Sequence, residues 1–294
     1  MELEEATRER ALESGSAGTW AGDPDRLSAL PDCLLHTIMS FLKARQVVQT
    51  CVLAARWRHL WRSAPCLDID LDEFMTSPVG FEWYSGSDTD SDSFDLYNDI
   101  NNKKEKAWED FQDFAENLMH RRNIALLDSF RLRVRSVPRS YEPKFADRVA
   151  GGWLRRAMKY CTPEPPRPCE GLSSNSWHLK RLYLRNVALD NRFTKHVSLV
   201  CHSLEDLELK DCRCEIRAIT SDSLKNLVLK NCKCYRLSEI KSPTLKSLLI
   251  AGGSNTNEGV LVIVVPVIAH LCLDVPLHFA RRISINQMLS LPRC

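Results

Sequence analysis

Near the N-terminus, apolar residues recur at helical spacing. Leu34, Leu35, Ile38, Met39 and Leu42 mark one face of a helix at a period near 3.6. Val47, Val48, Cys51 and Val52 repeat the pattern, and Trp57, Leu60 and Trp61 close it. Roughly forty residues are too few to bury this much apolar surface alone. The stretch is therefore expected to pack against another part of its own chain or against another protein. Pro65 ends it, and the period changes. Cys66 to Phe74 alternates apolar with acidic residues, which predicts a half-buried strand. Glu105 to His120 predicts a helix with Ala107, Trp108, Phe111, Phe114, Ala115 and Leu118 on its inner face. Leu127 to Val134 predicts a strand whose Arg131 and Arg133 point away from the core. Val149 to Tyr160 predicts a helix that buries Trp153, Leu154, Ala157 and Met158, and the proline-rich stretch Pro163 to Pro168 continues neither structure.

From Leu179 the chain repeats itself. Leu179-x-x-Leu182-x-Leu184 is followed by Leu204-x-x-Leu207-x-Leu209, Leu224-x-x-Leu227-x-Leu229 and Leu245-x-x-Leu248-x-Ile250, at spacings of 25, 20 and 21 residues. That is the period of leucine-rich repeats. Each unit predicts a short strand, a turn and an irregular return. One unit cannot bury its leucines, but a stack shares one core. Leu127 to Val134 is a candidate irregular repeat before these four, and Leu261 to Val265 and Leu271 to Leu273 are candidates after them. Between the core leucines, Arg181, Tyr183, Arg185, Asp206, Glu208, Lys210, Asn226, Val228 and Lys230 are expected on the open concave face as the candidate substrate-binding set.

Charge and cysteine content narrow the chemistry. The 294 residues carry a formal net charge of +2, which demands neither nucleic acid nor an anionic membrane as partner. No apolar signal stretch opens the chain, so the twelve cysteines are expected as reduced thiols in the cytoplasm or nucleus. The longest apolar run, 259–273, is too short to span a bilayer and predicts buried strands. Cys212, Cys214, Cys232 and Cys234 form two Cys-x-Cys pairs twenty residues apart, which suggests a four-cysteine zinc site. Counted from the first leucine of each unit, however, they fall at the ninth position, where the repeat has Asn or Cys, and at the eleventh, where it has Leu and the first unit has Leu189, so all four read as small buried residues at repeat positions. The repeat accounts for them, and no metal or cofactor is expected.

The acidic run 85–99 predicts a surface loop. Asp88, Asp90, Asp92 and Asp99 fall at EF-hand offsets, but Ser93 replaces the turn glycine and Asp99 the bidentate glutamate. Ser87, Thr89, Ser91 and Ser93 are candidate sites for an acid-directed kinase. His196, His202, His270 and His278 form no constellation, and no phosphate loop, nucleophile elbow or HExxH occurs. No residue presents itself as catalytic.

The N-terminal stretch resembles a plant F-box of monocot-like type. The residues that carry the resemblance are Leu30-Pro31-Asp32, Leu34-Leu35, Ile38, Ser40-Phe41-Leu42, Lys43-Ala44-Arg45, Val47-Val48, Thr50-Cys51-Val52-Leu53 and Arg56-Trp57-Arg58-x-Leu60-Trp61. Ala54-Ala55 departs from the polar or basic pair usual there, with little effect expected on the fold. The region from Leu127 to Leu273 resembles the leucine-rich part of plant F-box proteins. The resemblance implies an α+β fold in which a three-helix F-box precedes an irregular leucine-rich-repeat solenoid. The expected organisation is a disordered tail at 1–23, the F-box at 24–64, a linking strand, acidic loop and helix at 65–126, and the repeat domain at 127–294. The last unit has no polar cap, which suggests truncation.

By resemblance the chain is a non-catalytic subunit of an SCF-type cullin–RING ubiquitin ligase. The F-box docks on a Skp-type adaptor, and through it on the cullin and RING protein, while the repeats hold a protein substrate. Leu30, Pro31, Leu34, Ile38, Leu42, Val48, Val52, Leu53, Trp57 and Trp61 then supply the adaptor interface and the small core beneath it. Two other classes stay open: an adaptor-binding scaffold without ubiquitin transfer, and an enzyme with a cysteine nucleophile, which needs one thiol of depressed pKa beside a histidine.

Overall fold

The computed structural model describes residues 27, 29–75, 92–123, 126–134, 143–158, 179–257, 259–276 and 279–286. It joins an N-terminal helical region to a C-terminal parallel β solenoid. The tail at 1–23 and the proline-rich stretch 163–168 lie outside the described residues, as do Asp88 and Asp90 of the acidic run.

The helical region consists of α1 (Asp32–Met39), α2 (Ala44–Gln49), a 3-10 turn at Thr50–Val52 and α3 (Trp57–Leu60). Its helices are short, at eight, six and four residues. Helices of this length do not persist alone in water, so tertiary packing must hold them. Leu35 and Met39, one turn apart on α1, are fully buried with Ala44, Val47, Trp57, Leu60 and Trp61, in one cluster with the rest of the chain. The apolar face read from the sequence is thus divided: Leu35 and Met39 turn inward, while Leu34 and Ile38 turn to solvent.

His36 lies inside this region, with Nε2 3.3 Å from the Leu60 carbonyl and 3.2 Å from Ser63 Oγ. Burial lowers its pKa below the ordinary 6.5, against the raising effects of the Leu60 carbonyl and Asp32. The unfolded chain therefore binds the proton more readily, and the stability His36 contributes is full above pH 6.5 and is lost as pH falls from there through the lower value of the folded state. Melting temperature is expected to be lower at pH 5.5 than at pH 7.5, and His36→Gln is expected to narrow that difference. An unchanged difference in the variant would assign it to other groups.

Strand β1 (Cys66–Asp70) follows, then a 3-10 turn at Leu71–Glu73. Next come α4 (Asp92–Arg121), β2 (Ser129–Arg133) and α5 (Pro143–Met158). Helix α4 starts well before the expected Glu105, so Asp92 and Asp99 stand on a helix rather than in the loop that an EF-hand reading needs. Phe111 of α4 stacks edge-on against Phe74 at 5.5 Å and Trp153 of α5 at 5.4 Å. Arg122, just past α4, is buried and ties the helical region to the sheet: its Nη1 donates to the Trp61 carbonyl at 3.3 Å and its Nη2 to the Cys66 carbonyl at 3.1 Å. Burial brings its guanidinium down to about 10, so it remains charged at neutral pH.

The solenoid is three-sided. Its main side is a parallel seven-stranded sheet in the order β1, β2, β3 (Arg181–Arg185), β5 (Asp206–Lys210), β8 (Asn226–Lys230), β11 (Ser247–Ala251) and β14 (His270–Asp274). A second side carries β4 (Ala188–Asp190), β6 (Arg213–Glu215), β9 (Lys233–Cys234) and β12 (Ser254–Asn255). The third carries β7 (Ala218–Thr220), β10 (Glu239–Lys241), β13 (Val260–Val264) and β15 (Arg282–Asn286). In the coil that begins at β3, α6 (Asn191–Leu199) follows β4, capped by Asp190 through the Arg192 and Phe193 amides.

Two corrections follow. In the units that begin at Leu204, Leu224 and Leu245 the return is not irregular but is built of two short strands, and in the unit that begins at Leu179 it is β4 followed by α6. Leu261 to Val265 is not a repeat start, because β13 pairs with β10 and β15 on the third side. The unit after Leu245 begins instead at Ile268, whose Leu271 and Leu273 pair in register with Leu248 and Ile250. Among the described residues, the turn after each of four consecutive main strands holds a left-handed residue: Asn186, Asp211, Asn231 and Gly252, with φ between 52° and 61°. Each donates its amide to the last residue of the next main strand, at 2.7 to 2.9 Å. Only glycine and short polar residues adopt this conformation cheaply, and a Cβ on Gly252 would lie 2.4 Å from Asn231 Oδ1.

Candidate adaptor and substrate surfaces

The structure divides the ten expected adaptor residues by burial. Trp57 and Trp61 belong to the core, at 2% and 7% exposure. Leu30, Leu42 and Val48 are half-buried against the same core. Pro31, Leu34, Ile38, Val52 and Leu53 face solvent, and Leu34 is 48%, Val52 82% and Leu53 60% exposed. Phe41 joins them at 84%. It was not among the expected contacts, although its place off the Leu35–Met39 stripe marks it in the sequence. Six of the eleven large apolar side chains exposed among the described residues fall between Leu27 and Leu53, so this surface is concentrated rather than scattered.

The helical region is fastened to the sheet beside that surface. Lys43, which precedes α2, places Nζ 2.7 Å from Asp70 Oδ2, and Arg133 reaches Asp70 at 2.8 Å and Asp68 at 3.0 Å. Burial works to raise the Asp70 carboxyl. The Lys43 hydrogen bond, the Asp72 amide and Arg133 outweigh it and hold the carboxyl below its usual value. Burial prevails at Asp68, whose carboxyl is pushed up despite Arg133 and Arg131. Arg45 sits over the Phe74 ring at 4.9 Å and donates to the Glu73 carbonyl at 2.7 Å.

All nine expected substrate-binding residues lie on the outer face of the seven-stranded sheet, in three registered rows. The first row runs Cys66, Ser129, Arg181, Asp206, Asn226, Ser247, His270. The second runs Asp68, Arg131, Tyr183, Glu208, Val228, Leu249, Cys272, and the third Asp70, Arg133, Arg185, Lys210, Lys230, Ala251, Asp274. Four strands beyond the expected set thus share this face. Arg131 stacks on the Tyr183 ring at 4.6 Å, Arg181 pairs with Asp128 at 2.5 Å, Arg185 with Asp211 at 3.1 Å, and Asn226 donates to Asp206 at 2.5 Å. At the C-terminal rim, Asp70, Asp72, Arg133, Val134, Arg185, Asn186 and Asp211 line a cavity of about 400 Å³.

The four cysteines of the Cys-x-Cys pairs are buried and unbridged. Cys214 and Cys234 are register partners, and Cys212 and Cys232 direct their thiols at carbonyls of the main strands. Contact with the Cys232 thiol, and then burial, holds Cys212 well above its ordinary value, and contact with Cys232 and Cys234 does the same for Cys214. The same contacts lower Cys232, but it is 3% exposed and no histidine acts on it. No group of three or more His, Cys, Asp or Glu set to hold a metal occurs among the described residues. His196 lies on α6 and His270 on β14, far apart in the solenoid, and His278 is outside the described residues.

Comparison with known proteins gives the lineage. The chain is 33% identical over 140 residues to the meiotic F-box protein MOF of Oryza sativa subsp. japonica, covering 46% of this chain and 23% of that protein. It is 52% identical over 50 residues to an F-box/FBD/LRR-repeat protein of Arabidopsis thaliana (17% of this chain, 11% of that protein). F-box/LRR-repeat protein 13 of the same plant is 48% identical over 51 residues, with the same two coverages. Its curated homologues are plant F-box and F-box/LRR proteins. The chain spans about a quarter or less of the length of each of these F-box relatives. The 140 matched residues of MOF cannot fit within 24–64, so the likeness to that F-box protein runs into the region that builds the sheet. No family model matches the chain, and no solved structure does.

Proposed function

We propose that the chain is the substrate-recognition subunit of an SCF-type cullin–RING ubiquitin ligase. Residues 24–64 act as its F-box and dock on a Skp-type adaptor. The outer face of the solenoid holds a protein substrate. The observation that carries this reading is the exposed set Leu34, Ile38, Phe41, Val52 and Leu53 on a helical region whose own core is already filled by Leu35, Met39, Val47 and Trp57. Aliphatic and aromatic side chains left outside a completed core are suited to anchor a partner in desolvated pockets. The F-box homologues support the same assignment. The chain does no chemistry itself: it raises the local concentration of a substrate beside the ligase, which speeds transfer by proximity.

Co-purification with a plant Skp-type adaptor tests the reading. A stoichiometric complex is expected. A folded chain that captures no adaptor overturns it. A complex that binds the cullin and RING protein but transfers no ubiquitin to captured proteins favours a non-degradative scaffold.

A further inference from the structure

The outer face of the seven-stranded sheet changes character at β8. In its central row the first four strands carry Asp68, Arg131, Tyr183 and Glu208, and the next three carry Val228, Leu249 and Cys272 side by side. The solenoid core does not need these three, because Leu227, Leu229, Leu248 and Ile250 fill the opposite side of the same strands. Val228 and Leu249 are half-exposed and Cys272 is exposed. Three adjacent apolar positions on a largely polar face form a strip about 10 Å wide at a strand spacing of about 4.8 Å.

The two borders of the strip differ. On its N-terminal side stand Asn226, Ser247 and His270. On its C-terminal side stand Lys230, Ala251 and Asp274, and Lys210 of β5 is the register neighbour of Lys230. In the same row Arg133 is taken up by Asp68 and Asp70, and Arg185 by Asp211. No described carboxylate pairs with Lys210 or Lys230. Among the described residues, these two ammonium groups on adjacent strands are thus in no ion pair. The remaining acids nearby are Glu208, two residues along β5 from Lys210, and Asp274, beyond Ala251 on β14.

We infer that this strip binds an extended peptide segment with an aliphatic or aromatic anchor flanked on one side by carboxylates. The inference rests on the outer face being the substrate surface. The anchor lies on Val228 and Leu249. The carboxylates bridge Lys210 and Lys230. Asp206 stands in the row on the opposite, N-terminal side of the strip and repels acidic residues there, which favours the lysine side for the acidic group.

The test is selection of random dodecapeptides displayed on phage against the full chain. Enriched peptides are expected to combine paired Asp or Glu with Leu, Ile or Phe, and to bind more weakly as sodium chloride is raised. The strongest is expected to lose at least about tenfold in affinity for Lys210→Glu/Lys230→Glu and for Leu249→Lys, with melting temperature and adaptor capture unchanged. Enrichment of basic or uncharged peptides, no enrichment over background, or affinity indifferent to the lysine pair overturns the inference. Acidic peptides bound by a chain that captures no adaptor would refute the ligase reading and leave the strip standing. Adaptor capture without acidic-peptide selection would do the reverse.

Discussion

Val52→Asp/Leu53→Asp is expected to abolish capture of a Skp-type adaptor and to leave the melting temperature where it was. Both residues are more than half exposed, at 82% and 60%, so the folded chain draws almost nothing from burying them. In a complex each would move from water into a desolvated pocket, worth about 1.5–3 kcal/mol for a fully buried Val or Leu. Aspartate forfeits that gain and adds an unpaired charge to the buried interface. At about 1.4 kcal/mol per tenfold, affinity should fall by at least about 100-fold. Binding is measured by titrating labelled adaptor, and folding by thermal melting of the same preparations. Full-strength binding by a normally folded variant would move the docking surface elsewhere. Phe41→Asp, at the most exposed aromatic of the region, is the natural companion variant.

Much of this architecture is legible in the sequence, and the gaps have physical causes. The leucine spacing gives the main sheet because period-2 alternation and a repeat near 20 residues act together: Leu182, Leu207, Leu227 and Leu248 stand in one register. Most strands of the other two sides give no such signal, because segments such as Arg213–Glu215, Ala218–Thr220 and Lys233–Cys234 are two or three residues long, too short to show a period. Leu261-x-Ile263 copies the repeat ending, yet it lies on the third side. A strand buried on one face reads the same on any side of a coil. Helix α4 was expected to begin at Glu105, whereas it begins at Asp92, inside the acidic run. Polar residues carry no amphipathic signal there, so helical propensity and continuity with the apolar turns after Ala107 decide. On α1, periodicity found both pairs, Leu34–Ile38 and Leu35–Met39. It cannot say which pair faces the core, because residues adjacent in sequence differ by only about 100° around a helix. That depends on what the rest of the chain brings against it, such as the Leu60 carbonyl and Ser63 that His36 of α1 meets.

Trp57→Ala separates the remaining ambiguity from the opposite direction. Sequence placed Trp57 in the adaptor interface or in the core beneath it, and at 2% exposure it is a core residue. Its truncation leaves a cavity in the buried cluster that also holds Leu35, Val47 and Leu60. Emptying a Trp site in this way costs about 3–5 kcal/mol, against a total stability of about 5–15 kcal/mol for an ordinary domain. The midpoint of urea unfolding should fall by a large fraction of its value, with the slope unchanged. Trp57→Phe should recover most of the loss, because an aromatic ring refills the site. Adaptor affinity, measured at a temperature where the variant is folded, should change far less than for Val52→Asp/Leu53→Asp. The reverse pattern, with stability intact and binding lost, would return Trp57 to the interface and require the helical region to open when it docks.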